Sequence, residues 1–179
     1  MGKTRLIFRF TKGVFLDEWE KTVADGLSVS LVVKGITVDA FVWETDLGSA
    51  EYDSLYGLDF FGKDVLMLCF DVSSRRSFVD AEEFFMPKIK QETPGVPILL
   101  VGTKSDLRRR IDLETELVTK EEARALAERT GCVEYIECSA LTGENVERVF
   151  ESALWTASFG KPTATPSTKL EPERSCCFV

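Results

Sequence analysis

The sequence predicts an α/β domain of three layers, a mostly parallel sheet with helices on both faces and one antiparallel hairpin strand. Three observations carry that reading. Residues 65–72 (VLMLCFDV) and 96–101 (VPILLV) are near-continuous apolar runs of strand length, the pattern of parallel strands covered on both faces. Apolar residues at helical spacing follow these runs, so strand and helix alternate along the chain. Ahead of them, two alternating segments flank Lys34-Gly35, a two-residue turn suited to a hairpin.

The hairpin lies between Ser28 and Trp43, with Val29, Leu31 and Val33 on its first arm and Ile36, Val38, Ala40 and Val42 on its second. The run 65–72 is the next strand, and Phe78, Ala81, Phe85 and Ile89 mark the helix after it. The run 96–101 is a further strand. Thr119 with Glu122 is a capping-box pair that opens a helix through Arg129, which Gly131 ends. A shorter strand is expected over 133–138. Val146, Val149, Phe150, Ala153, Leu154 and Ala157 then give a last helix a full apolar stripe. From 160 to 175 the chain is rich in Pro, Thr and Ser and reads as a disordered linker. No internal repeat is present.

A chain of 179 residues, 44% hydrophobic and 29% charged, has room for one domain with a sizeable core plus a tail. Its net charge of -8 repels nucleic-acid phosphates. The basic run Arg108-Arg109-Arg110 reads as a solvated loop, so no nucleic-acid partner is expected. The chain has no histidine, which removes Ser-His-Asp and Cys-His catalysis and the usual His-rich metal sites. Cysteines at 69, 132, 138, 176 and 177 show no C-x-x-C spacing, and two lie in apolar runs where a small buried side chain is the expected role. A reducing compartment follows. No signal-like segment and no apolar run approaching ~18 residues is present, so the expectation is a cytoplasmic protein unless its far end anchors it.

Open α/β sheets bind ligands at the carboxyl ends of their strands. After 96–101 comes Thr103-Lys104-Ser105-Asp106, and after 133–138 comes Ser139-Ala140. Near the start, Gly2-Lys3-Thr4 matches the last three residues of the phosphate-binding loop G-x-x-x-x-G-K-[ST]. In that loop, backbone N–H groups wrap the phosphates, the Lys reaches the outer phosphates and the Ser/Thr hydroxyl ligates Mg²⁺. Each stretch alone is ordinary loop chemistry; their order and their strand-end positions give them weight together.

In that order the motifs resemble the small GTPases of the Ras superfamily, and within it the Rho/Rac family, whose guanine motif is [NT]-K-x-D and whose last motif reads E-C-S-A, as 137–140 does here. The resemblance implies a three-layer Ras-like P-loop NTPase fold over 1–159 and a site for GTP/GDP with Mg²⁺. Asp106 would accept from the two guanine N–H donors, following the Thr103 variant of the motif. Lys104 would lie along the base, Phe15 would pack on its edge, and the Ala140 N–H would meet the exocyclic oxygen, with Ser139 also in the guanine site. Gly2, Lys3 and Thr4 would hold phosphate, with Thr4 and Thr22 as Mg²⁺ ligands and Glu44 acting on the metal through water.

The second switch departs most from the family. Trp43-Glu44-Thr45-Asp46-Leu47-Gly48-Ser49 is best matched with Asp46 as an extra residue. Gly48 would then be the γ-phosphate glycine, and Ser49 stands where a Gln orients the attacking water. A serine hydroxyl reaches less far, so hydrolysis of GTP is expected to be slow. The last four residues, Cys176-Cys177-Phe178-Val179, fit C-a-a-X, which implies a prenyl lipid on Cys176, loss of the final three residues, and peripheral attachment to the cytoplasmic face of a membrane such as the plasma membrane. By resemblance the partners would be effector proteins, an exchange factor, a GTPase-activating protein and a lipid-shielding carrier.

In the family fold, the strand before the phosphate loop lies in the middle of the sheet. The domain is therefore expected to be incomplete at its N-terminus, with that first central strand missing and 160–179 a disordered tail. Three readings follow: a membrane-associated Rho-like switch, a pseudo-GTPase kept as a partner-binding module with little nucleotide turnover, and a non-functional fragment.

Overall fold

The computed structural model describes residues 2–15, 26–45, 62–109 and 117–160, together with the backbone of 174–178. Helix α1 (Lys3–Lys12) comes first, absent from the patterns above because only Leu6 and Ile7 commit it to the core. Phe10 adds a stacked contact with Phe150, ring centroids 3.7 Å apart.

The hairpin follows as β1 (Leu27–Val33) and β2 (Ile36–Glu44), antiparallel, with Val33 opposite Ile36. Both turn residues, Lys34 (φ 49) and Gly35 (φ 82), are left-handed, as the tight turn matching strand twist requires. The central run forms β3 (Val65–Asp71), buried along its whole length. Helix α2 (Arg75–Val79) continues through a π-helical segment (Asp80–Phe85) into α3 (Met86–Glu92). Proline causes the change of register. Pro87 has no N–H for the Glu83 carbonyl and its ring would press on it, and the widened turn instead lets the Met86 N–H bond the Ala81 carbonyl.

The strand expected over 96–101 lies at β4 (Ile98–Thr103), because Pro97 cannot donate to the ladder. Helix α4 (Lys120–Thr130) has the predicted capping box at Thr119 and Glu122 and ends on Gly131 (φ 72). Strand β5 (Tyr135–Glu137) is shorter than the predicted run, and α5 (Val146–Phe159) closes the described globular part.

The sheet has six strands in the order β1-β2-β6-β3-β4-β5, antiparallel only at β1. Alternation along β3 builds the two cores. Val65, Met67 and Cys69 face a layer with α1 and α5, while Leu66, Leu68 and Phe70 face the layer of α2, α3 and α4. The three-layer α/β expectation stands.

Strand β6 (Arg174–Phe178) has no counterpart among the sequence patterns. It lies between β2 and β3, pairing parallel to both. Residues 174 and 175, expected to close a disordered linker, begin it. The composition of 160–175 says nothing of this, because the ladder partners are more than a hundred residues away in sequence. Residues 161–173 lie outside the described part.

Candidate functional site

Two clusters form at the carboxyl ends of the strands. At the first, Gly2 is left-handed (φ 93), a conformation that strains any residue with a Cβ, and its carbonyl accepts the first helical bond of α1, from Leu6 N–H at 3.1 Å. The N–H groups of Lys3, Thr4 and Arg5 therefore precede the helical ladder and make an electropositive helix end. Lys3 is buried to 8% exposure. The Thr4 hydroxyl donates to Glu44 Oε1 at 2.8 Å, joining the start of α1 to the last residue of β2. This donor set, a hydroxyl and a carboxylate, is oxygen only and suits a hard divalent cation. The hydroxyl oxygen keeps lone pairs for a cation while its hydrogen stays on Glu44.

The second cluster gathers the ends of β3, β4 and β5. Thr103 donates its hydroxyl to the Phe70 carbonyl at 3.0 Å, binding β4 to β3 at their last residues. Lys104 is left-handed (φ 61), a strain of about 1–2 kcal/mol for a residue with a Cβ. Its ammonium lies 2.6 Å from Asp71 Oδ2. Asp71 also accepts from the Ser73 N–H (2.8 Å) and hydroxyl (2.7 Å). Burial pushes the Asp71 carboxyl up, but Lys104 and Ser73 together outweigh it and hold the group below its ordinary value. Asp106 Oδ1 accepts from the Ser139 hydroxyl at 2.5 Å. That hydroxyl also receives Thr142 N–H, and the loop is closed by Ser139 N–H to Glu144 O (3.0 Å) and Gly143 N–H to Ser139 O (2.9 Å). Ser105 N–H, bonded to the Cys138 carbonyl at 3.0 Å, ties this loop to the one before it.

The first residue of the basic run is not in a solvated loop, which corrects the reading of Arg108. Its guanidinium grips Glu137 with two bonds of 2.6 and 2.7 Å and donates to the Val118 carbonyl at 2.7 Å. The two side chains are only 19% and 8% exposed. Tyr135 adds its hydroxyl to the same carboxylate at 2.6 Å. Burial opposes the Arg108 charge, yet the Glu137 contact dominates and raises its affinity for the proton. Arg109 is exposed as expected, and Arg110 lies outside the described residues.

The structure thus pairs Asp106 with Ser139, Lys104 with Asp71, and Thr4 with Glu44, while Thr103 ties β4 to β3. Phe15 is not joined to either group in this way; its ring lies 5.3 Å from the Arg5 guanidinium. Thr22, Gly48 and Ser49 lie outside the described residues, as does the side chain of Cys176. Sequence reading missed Asp71, Arg108 and Gly102. A Cβ at Gly102 would meet the Tyr135 hydroxyl at 2.8 Å and Val72 at 3.1 Å. An Asp ending a buried apolar run was the available signal for Asp71; for the others no local signal exists.

Residues 1–158 match the model of the Ras family. The chain belongs to the Ras family. Among curated proteins, this Ras-family chain is 35% identical over 186 residues to the GTP-binding protein rho1 of Schizosaccharomyces pombe, covering 99% of the chain and 92% of that protein. It is 34% identical over 182 residues to the GTP-binding protein RHO2 of Saccharomyces cerevisiae, covering 99% of the chain and 90% of the relative. The family resemblance drawn from the motifs is thereby established, and within the family the relatives are rho proteins.

Proposed function

We propose that this Ras-family small GTPase is a Rho-like switch that binds GTP and GDP with Mg²⁺, hydrolyses GTP slowly and attaches to a membrane through a lipid on Cys176. The observation that carries the nucleotide reading is the hydrogen bond from Ser139 to Asp106, which joins the loops after two adjacent parallel strands. A carboxylate fixed there can accept two N–H donors from one edge of a base, which guanine offers and adenine does not. Ser139 orients that carboxylate, and Asp71 holds the Lys104 head so that its aliphatic stem is free to lie along the base.

The helix end at Lys3, Thr4 and Arg5 supports phosphate binding, with Lys3 as the point charge. Thr4 and Thr22 would hold Mg²⁺ directly and Glu44 through water; the metal would neutralise charge on the outer phosphates. Gly48 would meet the γ-phosphate, and Ser49 would leave the attacking water poorly oriented. Effectors, an exchange factor, a GTPase-activating protein and a lipid-shielding carrier are the partners this role requires. Among the described residues no helix is long and apolar enough to cross a membrane, so attachment rests on the lipid.

Nucleotide content of the purified chain tests the reading. Stoichiometric GDP or GTP supports the switch. A folded but empty protein that takes up neither from solution overturns it in favour of a partner-binding module. Turnover of GTP with an activating partner at the rate of an ordinary Rho protein would overturn the assignment to Ser49.

A further inference from the structure

We propose that Arg108 is a positioning residue for guanine selectivity: through Glu137 it fixes the angle at which Asp106 meets the base. The proposal rests on the guanine reading above and goes beyond it, because Arg108 acts through its partner and not on the nucleotide. Asp106 and Arg108 share one short 3₁₀ turn after β4, Ser105–Arg109. At three residues per turn, side chains two positions apart point to different sides of it. One side bonds Ser139; the other grips Glu137, the last residue of β5. The turn is thereby fastened to the end of β5 and to the loop after it at two points, and a single fastening would leave it free to pivot.

The fastening at Glu137 is held from several directions. Arg108 Nε and Nη2 reach the two carboxylate oxygens at 2.6 and 2.7 Å, and Nη2 also donates to the Val118 carbonyl at 2.7 Å. The Tyr135 hydroxyl donates to Oε1 at 2.6 Å, and its ring is stacked beside Phe70, centroids 6.1 Å apart. The Glu137 backbone is fixed as well. It lies opposite Gly102 in the ladder, its carbonyl accepts from Asn145 Nδ2 at 2.8 Å, and the next N–H, of Cys138, bonds the Gly102 carbonyl at 2.8 Å. A buried ion pair is weak ground for stability, since apolar residues of like volume often serve as well. A two-pronged pair does set geometry, because two parallel bonds define an angle as well as a distance.

Asp106 needs that angle. The Ser139 hydroxyl already bonds its Oδ1 at 2.5 Å, and the carboxylate can turn about this contact. Guanine presents two N–H donors on one edge, and a turned carboxylate keeps one of them and loses the other. Hypoxanthine lacks the exocyclic amine and presents one. An Arg108 that sets the angle therefore favours GDP over IDP, whereas an Arg108 that only stabilises the domain supports both equally.

Affinities of the full 179-residue chain for GDP and for IDP, each with Mg²⁺, test this. The parent should prefer GDP by about tenfold or more, the effect of one hydrogen bond to a charged acceptor. In Arg108→Lys, which keeps the charge and loses the fork, that preference should fall by about threefold or more, through weaker GDP binding. Tyr135→Phe, which keeps the ring and removes only the hydroxyl on Glu137, should shift it the same way by less. Val33→Ala, a core truncation on β1 at the opposite edge of the sheet from β5, should lower stability and leave the preference as in the parent. A parent-like preference in Arg108→Lys, or in Tyr135→Phe where the lysine variant does not fold, overturns the positioning role and leaves the nucleotide reading standing. A preference that Val33→Ala reduces as much as Arg108→Lys does overturns it in favour of general loosening. A parent chain that binds neither nucleotide overturns the nucleotide reading, one that binds both alike overturns the assignment of Asp106, and the role of Arg108 falls with either.

Discussion

Asp71 and Arg108 show how much of the candidate site is held by residues outside the motifs. Asp71 anchors the Lys104 ammonium at 2.6 Å, and without it the strained Lys104 loses the partner that offsets its backbone conformation. Asp71→Ala is expected to weaken GDP binding about tenfold, equivalent to ~1.4 kcal/mol, measured by titration calorimetry, while leaving the fold intact. Arg108→Ala leaves the Glu137 carboxylate buried with Tyr135 as its nearest remaining donor and Lys120 at 3.8 Å. A loss of about 2–3 kcal/mol in urea unfolding is expected, and Arg108→Lys should recover only part of it because the two-pronged contact is lost. Gly102→Ala forces a Cβ against the Tyr135 hydroxyl and Val72, so stability should fall by about 1–3 kcal/mol in the same measurement.

At the scale of elements, α4 joins sequence signal and tertiary role most directly. Thr119 and Glu122 form the complete capping box, and Glu122 in addition takes a two-pronged contact from Arg75 of α2, at 2.6 and 3.2 Å. Thr119→Ala should lower stability by about 1 kcal/mol. The Arg75 contact and the Thr119 bonds hold the Glu122 carboxyl down at about 2, against an ordinary 4.5. A carboxyl depressed in the folded state contributes its full stabilisation above the unfolded value of 4.5 and loses it as pH falls toward 2. Both side chains are about half exposed, so solvent screening keeps the contribution small. The gap in urea midpoint between the parent chain and Glu122→Gln should accordingly shrink between pH 6 and pH 3, and a gap that widens on acidification would refute this account.

The elements themselves were legible where a local rule governs them. The hairpin turn at Lys34-Gly35 and the α4 cap were read correctly because left-handed turn residues and capping hydroxyls act within four residues of themselves. The Pro-containing helix was read by its stripe, but its π register was not, since that depends on which carbonyl Pro87 would strike. Arg108 was misread because a charge run signals solvent on average, and only the fold brings Glu137 beneath it.

For the whole molecule, the nucleotide reading makes a thermal prediction. GDP with Mg²⁺ at 100 times its dissociation constant should stabilise the chain by about 2.7 kcal/mol, seen as a rise in melting temperature that chelation of the metal diminishes. ATP at the same concentration should give no such rise.

The sequence by itself determined the α/β class, the order of strands and helices from the hairpin to residue 159, and the pairing of Asp106 with Ser139 in one site at the strand ends, but neither α1 nor Asp71. These follow from side-chain period and short-range backbone preferences, which each segment carries with it. Only the tertiary structure decided which segment lies between β2 and β3. A strand slot is filled by whatever backbone can satisfy the hydrogen bonds of both neighbours at once, and that requirement is set by pairing across the chain, not by the composition of the tail that meets it.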